Sequence, residues 1–212
     1  MEGGLFLAGQ KNQLCNDLFD IGAVKFGLFT LKSGLKSPIY IDLRVLVSYP
    51  NTLKKVAKLL AKSSAELNYD RIAGIPYAAI AIATAFSLST GKPMIYPRKE
   101  AKDYGTARQI EGVFNAGETI LVIDDLITTG ASKLETIAPL EQVGLKVKDI
   151  CVLVDREQGG KKELEEKGYA LHSVLTISEL LKNLKKSGKI SEEQFRELRS
   201  YFKNPEKWQE GK

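Results

Sequence analysis

The sequence predicts an α/β fold: a central parallel sheet flanked by helices, with a small N-terminal hood. Three observations predict it. Short apolar runs recur at Arg71 to Ile75, Met94 to Tyr96, Thr119 to Ile123, Ile150 to Val154 and Leu171 to Leu175. Between them lie helix-like segments, Ala78 to Ser89, Ser132 to Val143 and Lys161 to Lys167. Strands that are apolar throughout are buried on both faces, which is the signature of βαβ units. The third observation is that small and hydroxyl-bearing residues gather just past Ile123, and in such sheets ligands bind beyond the carboxyl ends of the strands.

Taken in order, Leu14, Leu18 and Ile21 have helical spacing and precede two strand-like runs, Lys25 to Leu31 and Ile39 to Val47. Residues 1–47 are therefore read as a hood segment of the same domain. Ser48 offers a helix N-cap and Pro50 suits a first turn, after which Leu53, Val56, Ala57, Leu60 and Leu67 sustain an amphipathic helix. The alternating core runs over 48–177. The remainder, 178–212, reads as one or two helices capped by Ser178 and Ser191, the second as a Ser191–Gln194 capping box, packed on the outside.

Composition excludes several classes. The chain has 212 residues with 31 Lys+Arg and 26 Asp+Glu, a net charge of +5, so the natural expectation is one core with a smaller appendage. Two distant cysteines, Cys15 and Cys151, form no CxxC pair and are expected to be buried thiols in a reducing cytoplasm. A single histidine, His172, rules out HExxH and Cys2His2 zinc sites. The longest uncharged stretch, 72–91, contains Pro76 and several Ser and Thr residues, so no membrane span is expected. Glu2 stands where a signal peptide carries positive charge, and nothing directs export.

The chemistry gathers after Thr119-Ile-Leu-Val-Ile123, in Asp124, Asp125, Leu126, Ile127, Thr128, Thr129, Gly130, Ala131 and Ser132, where a helix begins. Small residues let backbone N–H groups face an anion, the helix N-terminus adds positive potential, and the hydroxyls add donors. Two carboxylates cannot bind a phosphate, but they suit the hydroxyls of a ribose one sugar-length away. The competing reading is a capped helix with two solvated acids. A Walker B strand is a further reading, for which the chain offers neither GxxxxGK[ST] nor GxGxxG.

Residues 98–108 are strongly charged and nearly free of apolar anchors, with Arg98, Lys99, Lys102 and Arg108 outnumbering Glu100 and Asp103. A segment of this kind suits a lid that closes on a polyanion, or else a solvated loop. Nearer the N-terminus, Lys32 stands among aromatics in FTLKSG and SPIYIDLR, which composition alone reads as an edge hairpin with a snorkelling lysine. Arg156, in DREQGG, suits a bidentate bond to a planar carboxylate; the plainer reading is a surface ion pair with Asp155 or Glu157.

The cradle resembles the phosphoribosyl-diphosphate motif of type I phosphoribosyltransferases. FTLKSG, SPIYIDLR, RKEAKDYG, DDLITTG and DREQGG together, in this order, resemble orotate phosphoribosyltransferase over roughly 14–181. The resemblance implies the type I phosphoribosyltransferase fold and the reaction of orotate with 5-phosphoribosyl 1-diphosphate to give orotidine 5'-monophosphate and pyrophosphate, with Mg²⁺, in pyrimidine synthesis. It further implies that Lys32 contacts the diphosphate donor, that Tyr40 and Ile41 line the base pocket, and that Tyr77 sits near the pyrophosphate end. By the same resemblance Arg98, Lys99 and Lys102 belong to a lid shared across a homodimer interface, with Lys99 and Lys102 stabilising the leaving group. Asp124 and Asp125 would hold the ribose hydroxyls, the loop to Ser132 the 5-phosphate, and Thr128 with Arg156 the orotate. Two positions depart from the bacterial pattern: Tyr104 stands where many members have His, and Ala78 where many have Lys. Both departures resemble the first domain of bifunctional UMP synthases.

Two other functions compete. A purine phosphoribosyltransferase would share the cradle and Mg²⁺ but not the FTLKSG and DREQGG segments. A nucleic-acid-binding regulator on the same fold is compatible with a pI of about 9.0, but no helix-turn-helix extension is evident and no nucleic-acid partner is expected.

Overall fold

The computed structural model describes residues 2–31, 34–98, 109–205 and 208, with side chains from residue 7 onward. Helix α1 (Glu2–Asp20) leads into a hairpin of β1 (Val24–Thr30) and β2 (Lys36–Ile41), a separate two-stranded antiparallel sheet. The expected continuation of the second run to Val47 does not form. Asp42 caps a 3-10 turn instead, Leu43–Ser48, by accepting a hydrogen bond from the Arg44 amide at 3.2 Å. Leu43 and Leu46, three residues apart, are both buried, a spacing that suits three residues per turn. Helix α2 (Pro50–Ser63) starts at Pro50 as read, but Tyr49 rather than Ser48 holds the cap position, with no side-chain bond.

The main sheet contains β3 (Arg71–Gly74), β4 (Met94–Pro97), β5 (Ile110–Glu111), β6 (Thr119–Ile127), β7 (Lys146–Asp155) and β8 (Ala170–Thr176). Its order is β5-β4-β3-β6-β7-β8, parallel throughout except for β5, which runs antiparallel to β4. The sheet is thus mixed at one edge rather than wholly parallel. Strands β6 and β7 are longer than their apolar runs, and Asp124 to Ile127 lie within β6.

Period-two alternation along β6 divides the core. Leu121 and Ile123 join the apolar cluster of α1, α2, α3 (Ala78–Thr90), α6 (Ile177–Lys186) and α7 (Glu192–Lys203). Ile120 and Val122 join the cluster on the other face, with α4 (Ala131–Gln142) and α5 (Gly160–Glu166). Gly74 allows α3 to lie close on β3, since a Cβ there would come within 2.9 Å of the Ala83 Cβ. Val24 and Ile39 of the hairpin share the first cluster with Phe195 and Leu198 of the tail.

The tail is not merely an outer layer, because Leu180, Leu181, Leu184, Leu198 and Tyr201 are buried. Its Ser191–Gln194 box forms as read. Helix α6, however, is capped by Thr176 in a box with Glu179, and the Ser178 amide donates instead to Glu157 at 2.9 Å.

Candidate active site

A cleft of about 500 Å³ opens beyond the carboxyl ends of β3, β4 and β6. It is lined by Ile75 to Ala78 after β3, by Pro97 and Arg98 at β4, by Asp124 and Asp125 on β6, and by Ser132, Lys133, Glu135, Thr136 and Pro139 of α4; Arg44 reaches in from the 3-10 turn. This is where a ligand is expected in an open α/β sheet.

The β6–α4 connection is shaped by where its carbonyls go. Ile127 O accepts from the Arg156 amide and Thr128 O from the Gly160 amide, both at 3.0 Å, and Gly130 O accepts from Lys133 N at 2.8 Å. The carbonyl side of the loop is therefore held against the start of α5 and the first turn of α4. Gly130 takes φ +99° at the helix N-cap, a conformation that strongly favours glycine. Thr129, Ala131 and Ser132 are exposed, at a helix N-terminus whose potential favours an anion.

The two carboxylates differ sharply. Asp124 falls on the α4 side of β6 and is buried, pairing with the equally buried Lys133. Burial pushes the Asp124 carboxyl above the usual carboxylate range, while the Lys133 ammonium opposes that rise. Asp125 is partly exposed; its amide donates to Asp124 Oδ1 and its own Oδ1 accepts from the Leu126 amide, each at 2.7 Å. Lys133, Arg44 and Thr136 were not singled out from the sequence. For Lys133 a signal existed, because a lysine in the first turn of a helix opposes the macrodipole and calls for a specific partner.

Tyr77 and Ala78 line the cleft where α3 begins, and Tyr77 is 63% exposed. The Pro76–Tyr77 peptide bond is cis. Arg98 also lines the cleft, its Nε 2.6 Å from Glu111 Oε1 on β5. Tyr40 and Ile41 lie in the hood and do not themselves line the cleft, but the Tyr40 hydroxyl accepts at 3.1 Å from Nη2 of the lining residue Arg44, and its ring lies 5.5 Å from that of Phe29. Lys32, Lys99, Lys102 and Tyr104 fall outside the described residues.

Arg156 stands beside the cradle because β6 pairs with β7 in a register that sets Ile127 against Asp155. Among the described residues it forms no ion pair with Asp155, whose Oδ1 accepts from the Glu157 amide at 2.8 Å, or with Glu157, whose carboxylate accepts from the Ser178 amide at 2.9 Å. Its Nε is buried with no hydrogen-bond partner among the described residues, its guanidinium faces the Tyr201 hydroxyl, and its guanidinium carbon lies 5.6 Å from the Phe202 ring. A buried guanidinium with unspent donors is prepared for a planar anion.

His172 bonds Asp149 at 2.7 Å, and among the described residues no three His, Cys, Asp or Glu side chains converge to hold a metal ion. No helix among the described residues is long and apolar enough to cross a membrane.

Comparison with known proteins agrees with this geometry. Residues 45–169 match the phosphoribosyl transferase domain. The chain is 46% identical over 191 residues to the uridine 5'-monophosphate synthase of Bos taurus, covering 89% of this chain and 40% of that one. It is 41% identical over 174 residues to the orotate phosphoribosyltransferase of Pyrococcus horikoshii, covering 81% of this chain and 94% of that protein. Among solved structures, the UMP synthase of Leishmania donovani superposes with a TM-score of 0.84 at 45% identity, over 91% of this chain and 42% of that one. The chain thus spans about two fifths of the UMP synthases it matches and nearly the whole of the archaeal enzyme. The cradle at the end of β6, the type I fold around it and the identity along its length place the chain in the phosphoribosyltransferase family, in its orotate phosphoribosyltransferase branch.

Proposed function

We propose that this chain transfers the 5-phosphoribosyl group of 5-phosphoribosyl 1-diphosphate to orotate, giving orotidine 5'-monophosphate and pyrophosphate in pyrimidine synthesis. The observation that carries the reading is the cleft that Asp124 and Asp125 line together with Ser132, the last residue of the loop that leaves β6 at Thr128. In it the loop amides and hydroxyls take the 5-phosphate, the acids hold the ribose hydroxyls, and Tyr77 lies toward the diphosphate. Arg156, with its buried unpaired Nε, takes the orotate carboxylate beside Thr128.

The bond between C1 of the ribose and the diphosphate oxygen breaks, and a bond from C1 to N1 of orotate forms as N1 gives up its proton to the departing pyrophosphate or to solvent. Positive character develops on the ring and negative charge on the leaving group, so catalysis is chiefly positioning and electrostatic stabilisation. Asp124 and Asp125 orient the sugar, and Lys99 and Lys102 contribute cations to the departing pyrophosphate. Bound with the donor, Mg²⁺ would supply charge neutralisation to the diphosphate, while the Asp124 carboxylate is already engaged by Lys133. A homodimer sharing its lid, and a cytoplasmic location consistent with the buried thiols Cys15 and Cys151, complete the proposal.

Loss of orotate absorbance on adding the donor and Mg²⁺ tests it, with uracil and hypoxanthine as control bases. Consumption of orotate alone is expected. Consumption of hypoxanthine, or of no base, would overturn the reading.

A further inference from the structure

The feature that the proposed reaction leaves unexplained is Lys133. It is an ammonium buried in the first turn of α4, where the helix dipole disfavours a cation, and it lines the same cleft as the ribose-holding acids. Its side chain is 8% exposed and that of its partner Asp124 is 5% exposed, so neither charge has water to fall back on. The Ser132 hydroxyl, 3.4 Å from Nζ, ties the same ammonium to the phosphate end of the cradle. A buried charge persists only when it is matched, and losing one partner strands the other.

We propose that Lys133 is a positioning residue for the sugar seat: through its buried contact it holds the Asp124 carboxylate ionised and fixed for the ribose hydroxyls. The inference rests on the phosphoribosyl-transfer reading and adds a determinant of donor affinity. A neutral Asp124 would lose acceptor capacity and present a proton to the sugar hydroxyls. Burial already favours that neutral form, with Asp125 next in line adding repulsion, and the Lys133 charge is the main influence against it. The other charged or titratable groups around the cleft are Glu135 on α4, Tyr77 before α3, Arg98 after β4 and Arg44 in the 3-10 turn. Of the cations among them, Arg98 pairs with Glu111 and Arg44 with Asp42, while Asp124 pairs with Lys133.

The test is the affinity for 5-phosphoribosyl 1-diphosphate with Mg²⁺, measured by calorimetry on the full chain. Lys133→Met removes the charge while keeping an apolar stem. Each pKa unit by which the carboxyl rises above the working pH costs about tenfold in its ionised fraction. Lys133→Met is therefore expected to weaken donor binding about tenfold near neutral pH, with the deficit shrinking as pH rises by about two units. Lys133→Arg should restore most of the affinity, and the KM for orotate should change little. In an Asp124→Asn background the Lys133→Met substitution should add less than about twofold, because its target is already neutral.

Wild-type affinity in Lys133→Met at every pH would overturn the proposal. A pH-independent loss that adds in full to that of Asp124→Asn would also overturn it, by placing Lys133 in direct contact with the donor. If Lys133→Met does not fold, as judged by circular dichroism, Lys133→Gln takes its place with the same expected results. Failure of the wild-type chain to bind the donor would refute the phosphoribosyl-transfer reading itself, an outcome distinct from a failure confined to Lys133.

Discussion

Gly160→Ala should damage the cradle from behind. Gly160 opens α5 and is buried; its amide donates to Thr128 O at 3.0 Å. A Cβ added there would lie 2.6 Å from Ile127 Cγ1, 2.7 Å from Thr128 O and 2.8 Å from Ile127 Cδ1. Ile127 is itself fully buried and the carbonyl is backbone, so neither rotates aside at little cost. Overpacking of this kind costs about 1–3 kcal/mol, and the backbone contact points to the upper half of that range. At about 2–4 °C per kcal/mol for a chain of this size, Tm should fall by about 4–12 °C. The loop must also shift, and a displacement of this order in a positioning element raises the KM for the donor by about tenfold or more. Gly159→Ala is the control. Gly159 has φ +95° but open space around its Cβ position, so alanine there should cost about 1–2 kcal/mol of backbone strain without touching donor KM. Thermal melts and initial rates on the two variants decide the matter. Gly160→Ala with a Tm within about 1 °C and a donor KM within about twofold of wild type would refute the packing argument.

Three further outcomes are expected. Arg156→Ala should raise the KM for orotate by at least about tenfold, as loss of a charge-assisted bidentate bond does, with little change for the donor; Phe202→Ala should shift the same constant less, and steady-state kinetics with each substrate varied would show equal effects on both if Arg156 lay outside the base site. The Arg71 guanidinium, with Nε 2.5 Å from Glu118, and the Asn115 amide hold the Glu118 carboxyl down at about 2. A depressed carboxyl contributes stability above its unfolded pKa of about 4.5 that is lost as pH falls toward 2, so Glu118→Gln should flatten the decline in Tm over that acid window and leave an intact pair's slope only if the pair is irrelevant. Burial pushes the thiols of Cys15 and Cys151 up to about 12, so thiol reagents at mildly alkaline pH should label neither until the chain unfolds; rapid native labelling would contradict the packing around them.

The parts of the fold that the sequence made legible share a physical cause. Strands β3, β6 and β7 are buried on both faces, so nearly every residue in their centres is apolar and the runs stand out without any periodicity. The cradle was legible because paired acids, hydroxyls and a glycine follow such a run directly. Strand β5 has two residues and no pattern of its own, and it exists only because Tyr96 and Pro97 offer it a partner edge. The 3-10 turn at Leu43–Ser48 continues an apolar run and reads as strand until the Asp42 cap is seen. Thr176 and Ser178 are both hydroxyl residues close to the start of the same apolar-periodic run; Thr176 holds the cap because Glu179 lies three residues on, and Glu157 takes the Ser178 amide. Lys133 carries in the sequence only the signal of a cation in a first helical turn, because its burial depends on where β6 carries Asp124. The part played by the tail was hidden for the same reason, since only tertiary packing brings Tyr201 and Phe202 to Arg156.

The central claim is that the end of β6 and the start of α4 form the seat of a ribose 5-phosphate. A crystal structure of the chain with 5-phosphoribosyl 1-diphosphate and Mg²⁺ tests it most directly. The account predicts the 5-phosphate at the amides and hydroxyls of Thr128 to Ser132, with the ribose hydroxyls on Asp124 and Asp125. A donor whose phosphate lies elsewhere, with that loop empty, would contradict it.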